Sequence, residues 1–277
     1  LNECAFYVTS NNESNLHLTV SENHQAQFEE IVENVKGEIE AKSNSKISVS
    51  YSYQKKETDT VAVDFENMPF RNEKGMLVFR PGGHGALIEN LNAIEADVVF
   101  VKNIDNVSQN SIKRISFYKK ALAGVLIELQ HQIFDYLKVL DSSEITSEKI
   151  NEILVFLKKQ LSIEFNDDFH KFKLKNQISK LKETLNKPIR VCGMVKNEGE
   201  PGGGPFWVMG ADGKQTLQIV ETSQIDLNNP EQVKILSNAT HFNPVDLVCG
   251  LKNYQNEKFD LKEFGDQTSG FIVHKTS

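Results

Sequence analysis

The apolar positions in the first hundred residues change period several times, the pattern of short mixed elements rather than of one long helix. Residues 5–9 (A-F-Y-V-T) form a compact apolar run that predicts a short buried strand, and residues 10–17 are polar and loop-like. Ser21 then stands where an N-cap belongs, because Phe28, Ile31, Val32 and Val35 behind it fall on one helical face. Residues 47–53 and 60–65 alternate apolar with polar, the period of strands near a sheet edge. Residues 77–80 lead into Pro81-Gly82-Gly83-His84-Gly85, residues 86–93 read as a helix, and residues 97–101 (D-V-V-F-V) resemble a strand covered on both faces.

From residue 108 to about 186 the period becomes helical. Ile115, Tyr118, Leu122, Val125, Leu129, Ile133, Tyr136, Leu137 and Leu140 keep three-to-four spacing. Thr146 or Ser147 can cap a second helix carrying Ile150, Ile153, Leu154 and Leu157, and residues 169–185 predict a third. Proline is absent until Pro188, after which residues 189–195 return to strand character. A glycine-dense loop at 197–208 follows, then a strand at 217–221 and shorter elements near 232–236, 247–251 and 270–274. The order predicts an α/β protein. Residues 1–107 form the first part of its core, 108–187 a helical insertion, and 188–277 the second part.

Composition narrows the function classes. At 277 residues the chain is one large domain or two small ones. Lys and Arg total 31 against 38 for Asp and Glu, a formal charge of −7, which argues against nonspecific nucleic-acid binding. No apolar run approaches the ~20 residues of a membrane span, so neither nucleic acid nor membrane is an expected partner. Cys4, Cys192 and Cys249 are too few for a disulfide framework and lack C-x-x-C spacing. A reducing, cytoplasmic setting is the expectation.

Four segments carry candidate chemistry. Gly82, Gly83 and Gly85 around His84 leave backbone N–H groups open to a phosphate or a flat base, ahead of a helix start; the alternative is a plain glycine turn. Asn103-Ile104-Asp105-Asn106 follows a β-rich run, where ligands of α/β sheets tend to bind, and Asp105 is of the type that holds Mg²⁺; the alternative is an Asx turn. In residues 197–208, Gly202, Gly203 and Gly204 are flanked by prolines, Phe206 and Trp207 offer an apolar wall, and Glu198 and Glu200 offer acceptors; a flexible loop is the alternative. Glu221 lies at a strand end or is simply an exposed acid. His17, His24 and His241 are too scattered to pair, His131 and His170 read as structural, and no G-x-S-x-G is present.

Taken in order, P-x-G-H-G at 81–85, N-I-D-N at 103–106 and V-E-T-S-Q-I at 220–225 resemble motifs of UDP-sugar pyrophosphorylases, and Asn238 matches an Asn that follows them there. The whole chain is most similar to a bacterial family of unknown function, domain-of-unknown-function family forty-three-oh-one, a resemblance carried by N-E-G-E-P-G-G-G-P-F-W at 197–207. The resemblance implies a GT-A-like nucleotidyltransferase core, a mixed sheet flanked by helices, with the helical subdomain inserted. The implied activity couples a nucleoside triphosphate to a sugar 1-phosphate with release of pyrophosphate; a catalytically inactive nucleotide-sugar binding module and a structural, partner-binding protein are the alternatives. By family, Gly82, Gly83, His84 and Gly85 would bind the nucleotide. Asp105 would be the catalytic ligand of Mg²⁺, and Gly203, Gly204, Glu221 and Asn238 would bind the sugar. The family's Arg-containing glycine loop and its phosphate-binding Lys have no counterpart, Asp246 standing where Lys is wanted, so the chain reads as truncated at both ends. Neither base, sugar nor oligomeric state follows from the sequence.

Overall fold

In the computed structural model, residues 1–107, 110–142, 145–199, 202–210, 213, 215–266, 270 and 272 are described. They divide into two compact units, each assembled from separated stretches. Unit 1 takes residues 1–96, 108–119 and 260–265, and unit 2 takes 97–107, 120–259 and 266–277.

Unit 1 begins with α1 (Cys4–Tyr7), β1 (Glu13–Thr19), α2 (Gln25–Ser43) and β2 (Lys46–Ser52). β1 and β2 are parallel, in register from Glu13 opposite Lys46 to Thr19 opposite Ser52, with α2 as the crossover. α2 stops at Asn44, whose left-handed φ of 52° lets its N–H return to the Glu40 carbonyl. β3 (Thr60–Val61) and β4 (Phe79–Arg80) pair antiparallel, and between them residues 62–78 fold back, with Phe70 N–H donating to Ala62 O and Val78 N–H to Phe70 O. α3 (Ile88–Asn92) closes the segment.

Two local expectations are corrected here. Residues 5–9 do not form a strand: α1 occupies most of them, Val8 N–H bonds to Cys4 O at 2.8 Å, and Ser116 Oγ donates to Phe6 O at 3.0 Å. A five-residue apolar run carries no period that separates helix from strand, and the Cys4 turn with the distant Ser116 bond decides it. Residues 10–17 are not a loop, since most of them lie in β1. The fully buried position there is Ser14, bonded to Thr9 Oγ1 at 2.6 Å, so alternation was hidden behind a polar residue. On α2 only Val32 is buried, while Ile31 and Val35 are exposed.

Unit 2 contains β5 (Val98–Lys102), most of α4 (Ile112–Asp141), α5 (Ser147–Leu161), α6 (Leu174–Leu185), β6 (Ile189–Cys192), β7 (Val195–Lys196), β8 (Gly204–Met209), β9 (Gln215–Val220), α7 (Pro230–Ser237), β10 (His241–Phe242) and β11 (Asp246–Gly250). The helices agree with the three-to-four spacing, and no strand occurs among the described residues between 110 and 186. Thr146 caps α5 by accepting from Lys149 N–H. Ile133, Leu137, Ile153, Leu157, Phe169 and Leu181 form the centre of the apolar core, and Ile189 packs against it. β11 lies between β5 and β6, antiparallel to both. Chain from before and after the helices therefore shares one sheet. β5 is half-buried along its length rather than covered on both faces.

The protein is thus mixed α/β, its described strands distributed over five sheets of two or three strands. Among the described residues no helix is long and apolar enough to cross a membrane.

Candidate functional site

Because β11 runs against both neighbours, the C-terminal ends of β5 and β6 meet its beginning. Asp246 lies opposite Lys102, and Leu247 opposite Cys192. Beyond Lys102, Asn103 caps the turn Ile104–Asn106, its Oδ1 accepting from Asp105 N–H at 3.0 Å. The Asx turn is therefore real, and it holds the Asp105 carboxylate outward, exposed and without a partner among the described residues. Asn106 Nδ2 donates to Pro244 O at 2.9 Å. Lys102 Nζ lies 4.0 Å from Asp246 Oδ1, their side chains only 15% and 23% exposed, so one cation and two carboxylates belong to the same sheet edge.

Asn243, buried, is the polar centre of this edge. Its Nδ2 donates to Gly193 O at 2.6 Å and Asp246 O at 3.3 Å, and its Oδ1 accepts from Val245 N–H at 2.9 Å. Val245 has a φ of 57°, a conformation that costs a β-branched residue about 1–3 kcal/mol. Lys102, Asn243 and Val245 were missed in the sequence. The available signal was N-P-V-D, a turn former two residues before an apolar run.

The glycine-dense loop is packed rather than loose. Gly203 and Gly204 are buried, and Gly203 O accepts from Asn243 N–H at 2.8 Å. A Cβ on Gly203 would stand 2.5 Å from Ile219 Cγ2, and one on Gly204 2.7 Å from the Phe206 ring. Glu221 and Gln224 form a reciprocal capping box, and Asn238 Nδ2 donates to Lys234 O at 2.8 Å. Between them is a cavity of about 80 Å³ lined by Asn197, Phe206, Thr222, Leu236 and His241. That is room for a few waters rather than a hexose. Gly203, Gly204, Glu221 and Asn238 belong to adjoining elements, with Glu221 and Asn238 engaged in local bonds. Trp207 is 55% exposed, and Glu200 lies outside the described residues.

Gly82, Gly83, His84 and Gly85 lie in unit 1. Gly82 is held by the Gln54 amide, assigned from the bonding pattern with its oxygen 2.8 Å from Gly82 N and its nitrogen 3.1 Å from Gly82 O. A Cβ on Gly83 or Gly85 would touch nothing within 4 Å, so these two backbone positions stay open to approach. The helix expected from residue 86 begins only at Ile88, after a run of three-residue turns, and is too short to act as an anion-binding terminus. Behind it Asn90, buried, donates to Ser52 Oγ and Tyr53 O, both at 2.8 Å, while its Oδ1 has no partner among the described residues. His17, set aside in the sequence as unpaired, bridges Ser50 and Ser52 at 2.8 Å each, and burial lowers its pKa. The spacing of Ser48, Ser50 and Ser52 along β2 was the available signal.

If Pro81–Gly85 and Asn103–Asn106 formed one site at a sheet end, as the resemblance implies, the strands before them would share a sheet. Instead β4, before Pro81–Gly85, pairs with β3, whereas β5, before Asn103–Asn106, pairs with β11, in the other unit. Residues 62–78 fold back on themselves and bring β4 to β3, its partner.

The donor chemistry fits Mg²⁺ only in part. Among the described residues no three His, Cys, Asp or Glu side chains cluster. Asp105 would supply one oxygen to such an ion, and Mg²⁺ commonly fills its remaining positions with phosphate and water. The cysteines are free, and burial pushes the Cys249 thiol up to about 11, which leaves it inert at neutral pH.

A family model described as Domain of unknown function (DUF4301) matches residues 1–277. The chain belongs to that family. No curated protein and no solved structure matches it. For this DUF4301 member, then, activity has to be argued from the site.

Proposed function

We propose that the chain has a GT-A-like nucleotidyltransferase core that binds a nucleoside triphosphate or nucleotide sugar with Mg²⁺ and joins the nucleotidyl group to a sugar 1-phosphate. The observation that carries this reading is the Asp105 carboxylate, unpartnered among the described residues and held out at the C-terminal end of β5 by Asn103 and Asn106. The resemblance of these segments to motifs of UDP-sugar pyrophosphorylases gives the position its chemical meaning in this reading. In the reaction an oxygen of the sugar 1-phosphate bonds to the α-phosphorus, and the bond from that phosphorus to the pyrophosphate oxygen breaks. Mg²⁺, when bound, would neutralise charge on the phosphates. Lys102 adds positive charge at the same edge. Glu221 and Asn238 would reach sugar hydroxyls by exchanging local bonds for ligand bonds.

The test is thermal shift with uridine, adenosine and guanosine triphosphates and their diphosphate sugars, each with and without Mg²⁺, followed by pyrophosphate release. A Mg²⁺-dependent rise in melting temperature with at least one nucleotide is expected, and its loss in Asp105→Asn with the unliganded melting temperature unchanged. Equal shifts in wild type and Asp105→Asn would overturn the assignment.

A partner-binding role is the second reading, favoured by the exposure of Val61, Phe65, Met68, Phe70, Met76 and Phe79 in one segment, Phe65 at 91%. Concentration-dependent self-association lost on Phe65→Ser, without nucleotide binding, would support it.

A further inference from the structure

The turn at residues 243–246 is not used by that reading, yet it joins the Asp105 turn, the end of β6 and the Gly203 loop. A β-branched residue at φ 57° persists only where its surroundings over-determine it, and here Asn243 does so through three side-chain bonds. The same residue reaches further. Its backbone N–H bonds to Gly203 O, tying the glycine loop, and its side chain ties Gly193 at the end of β6. One residue on, Pro244 O accepts from Asn106, which follows Asp105 directly. Gly193 N–H returns to Asp246 O at 2.8 Å, closing the ring of bonds.

We propose that Asn243 is a positioning residue that sets the Asp105 turn and the Gly203 loop relative to one another through the strained turn at Val245. The proposal rests on the reading of Asp105 as a cation ligand for what is positioned, while the coupling itself stands on the bonds above. Asp at 243 would keep the acceptor for Val245 N–H and lose the donors to Gly193 and Asp246. Asn106→Ala would cut the other link at an exposed position, leaving buried Asn243 untouched.

The experiment is amide NMR of the full chain, with Mn²⁺ alone as the probe. In Asn243→Asp, the signals of Asn103, Asp105, Asn106, Gly202 and Gly203 are expected to move, while those of Leu157 and Leu181 in the helical core stay fixed. Mn²⁺ is expected to broaden Asp105 in wild type, and to bind roughly tenfold more weakly in the variant, the loss typical of removing support for a metal ligand. Shifts confined to Gly193 and residues 243–246 would overturn the coupling. Mn²⁺ that leaves wild-type Asp105 unbroadened would overturn the cation reading alone, since the shift pattern still decides the coupling. Should Asn243→Asp not fold, Asn106→Ala decides: movement of Val245, Asp246 and Asp105 supports the brace, and stillness at Val245 and Asp246 refutes it.

Discussion

Two glycines that look alike in the sequence differ in what surrounds them. Gly203 has Ile219 Cγ2 2.5 Å from where a Cβ would sit, and Gly83 has nothing within 4 Å. Gly203→Ala is therefore expected to lower stability by about 1–3 kcal/mol, the usual cost of overpacking. Gly83→Ala should change it by less than about 0.5 kcal/mol, as surface substitutions do. Urea denaturation of the two variants checks both figures. A substantial loss for Gly83→Ala would mean that its turn is strained. Sequence reasoning found both loops but could not separate them, because what decides the matter is a side chain sixteen residues downstream of Gly203. The turn that carries Asp105 was legible because Asn103 builds it locally. Asn243 was not, because its partners lie at Gly193 and Gly203, far off along the chain.

At the scale of elements, long periodic segments were readable and short ones were not. α4, α5 and α6 follow from apolar spacing because each buries a stripe in one core. Leu157, fully buried there, is expected to cost about 2–5 kcal/mol on change to Ala, measured by chemical denaturation. Val155 on the same helix is 50% exposed and should cost far less. α1 and β1 were misread because their outcome depends on partners elsewhere: Ser116 for α1, and the parallel β2 for β1. A titratable link joins several elements. Asp141 at the end of α4 meets Lys182 of α6 at 2.6 Å and accepts from the Tyr254 hydroxyl at 2.6 Å. The Lys182 and Tyr254 hydrogen bonds hold its carboxyl below the ordinary 3.8. A lowered folded-state pKa stabilises above the unfolded value, and that contribution fades as pH falls through the folded one. Melting curves of wild type and Asp141→Asn should keep a constant gap at neutral pH and converge below about pH 4. A gap that widens on acidification would contradict this sign.

For the whole molecule, burial is uneven. Unit 2 holds the extended apolar core around Leu137, Ile153 and Leu157, whereas among the described apolar residues of unit 1 only Cys4, Ala5, Val32, Ile47 and Leu261 are buried. Hydrogen exchange should therefore be slowest in α5, α6 and the second half of α4. It should be fastest in residues 60–80, whose apolar side chains face solvent. Uniform protection across both units would show that they open together. The broad α/β class and the long helices were legible, since both follow from period. The division into units was not, because it depends on contacts between distant stretches. That division bears on inheritance. Each unit is stitched from three stretches of chain, and residues 112–119 of α4 belong to one while the rest of the helix belongs to the other. No single crossover between two related genes can exchange one unit intact. Viable hybrids would need several coordinated junctions, one of them inside a helix, so the two units are expected to descend together, and a library of single-junction chimeras should yield folded protein only where both parents already agree around the splice.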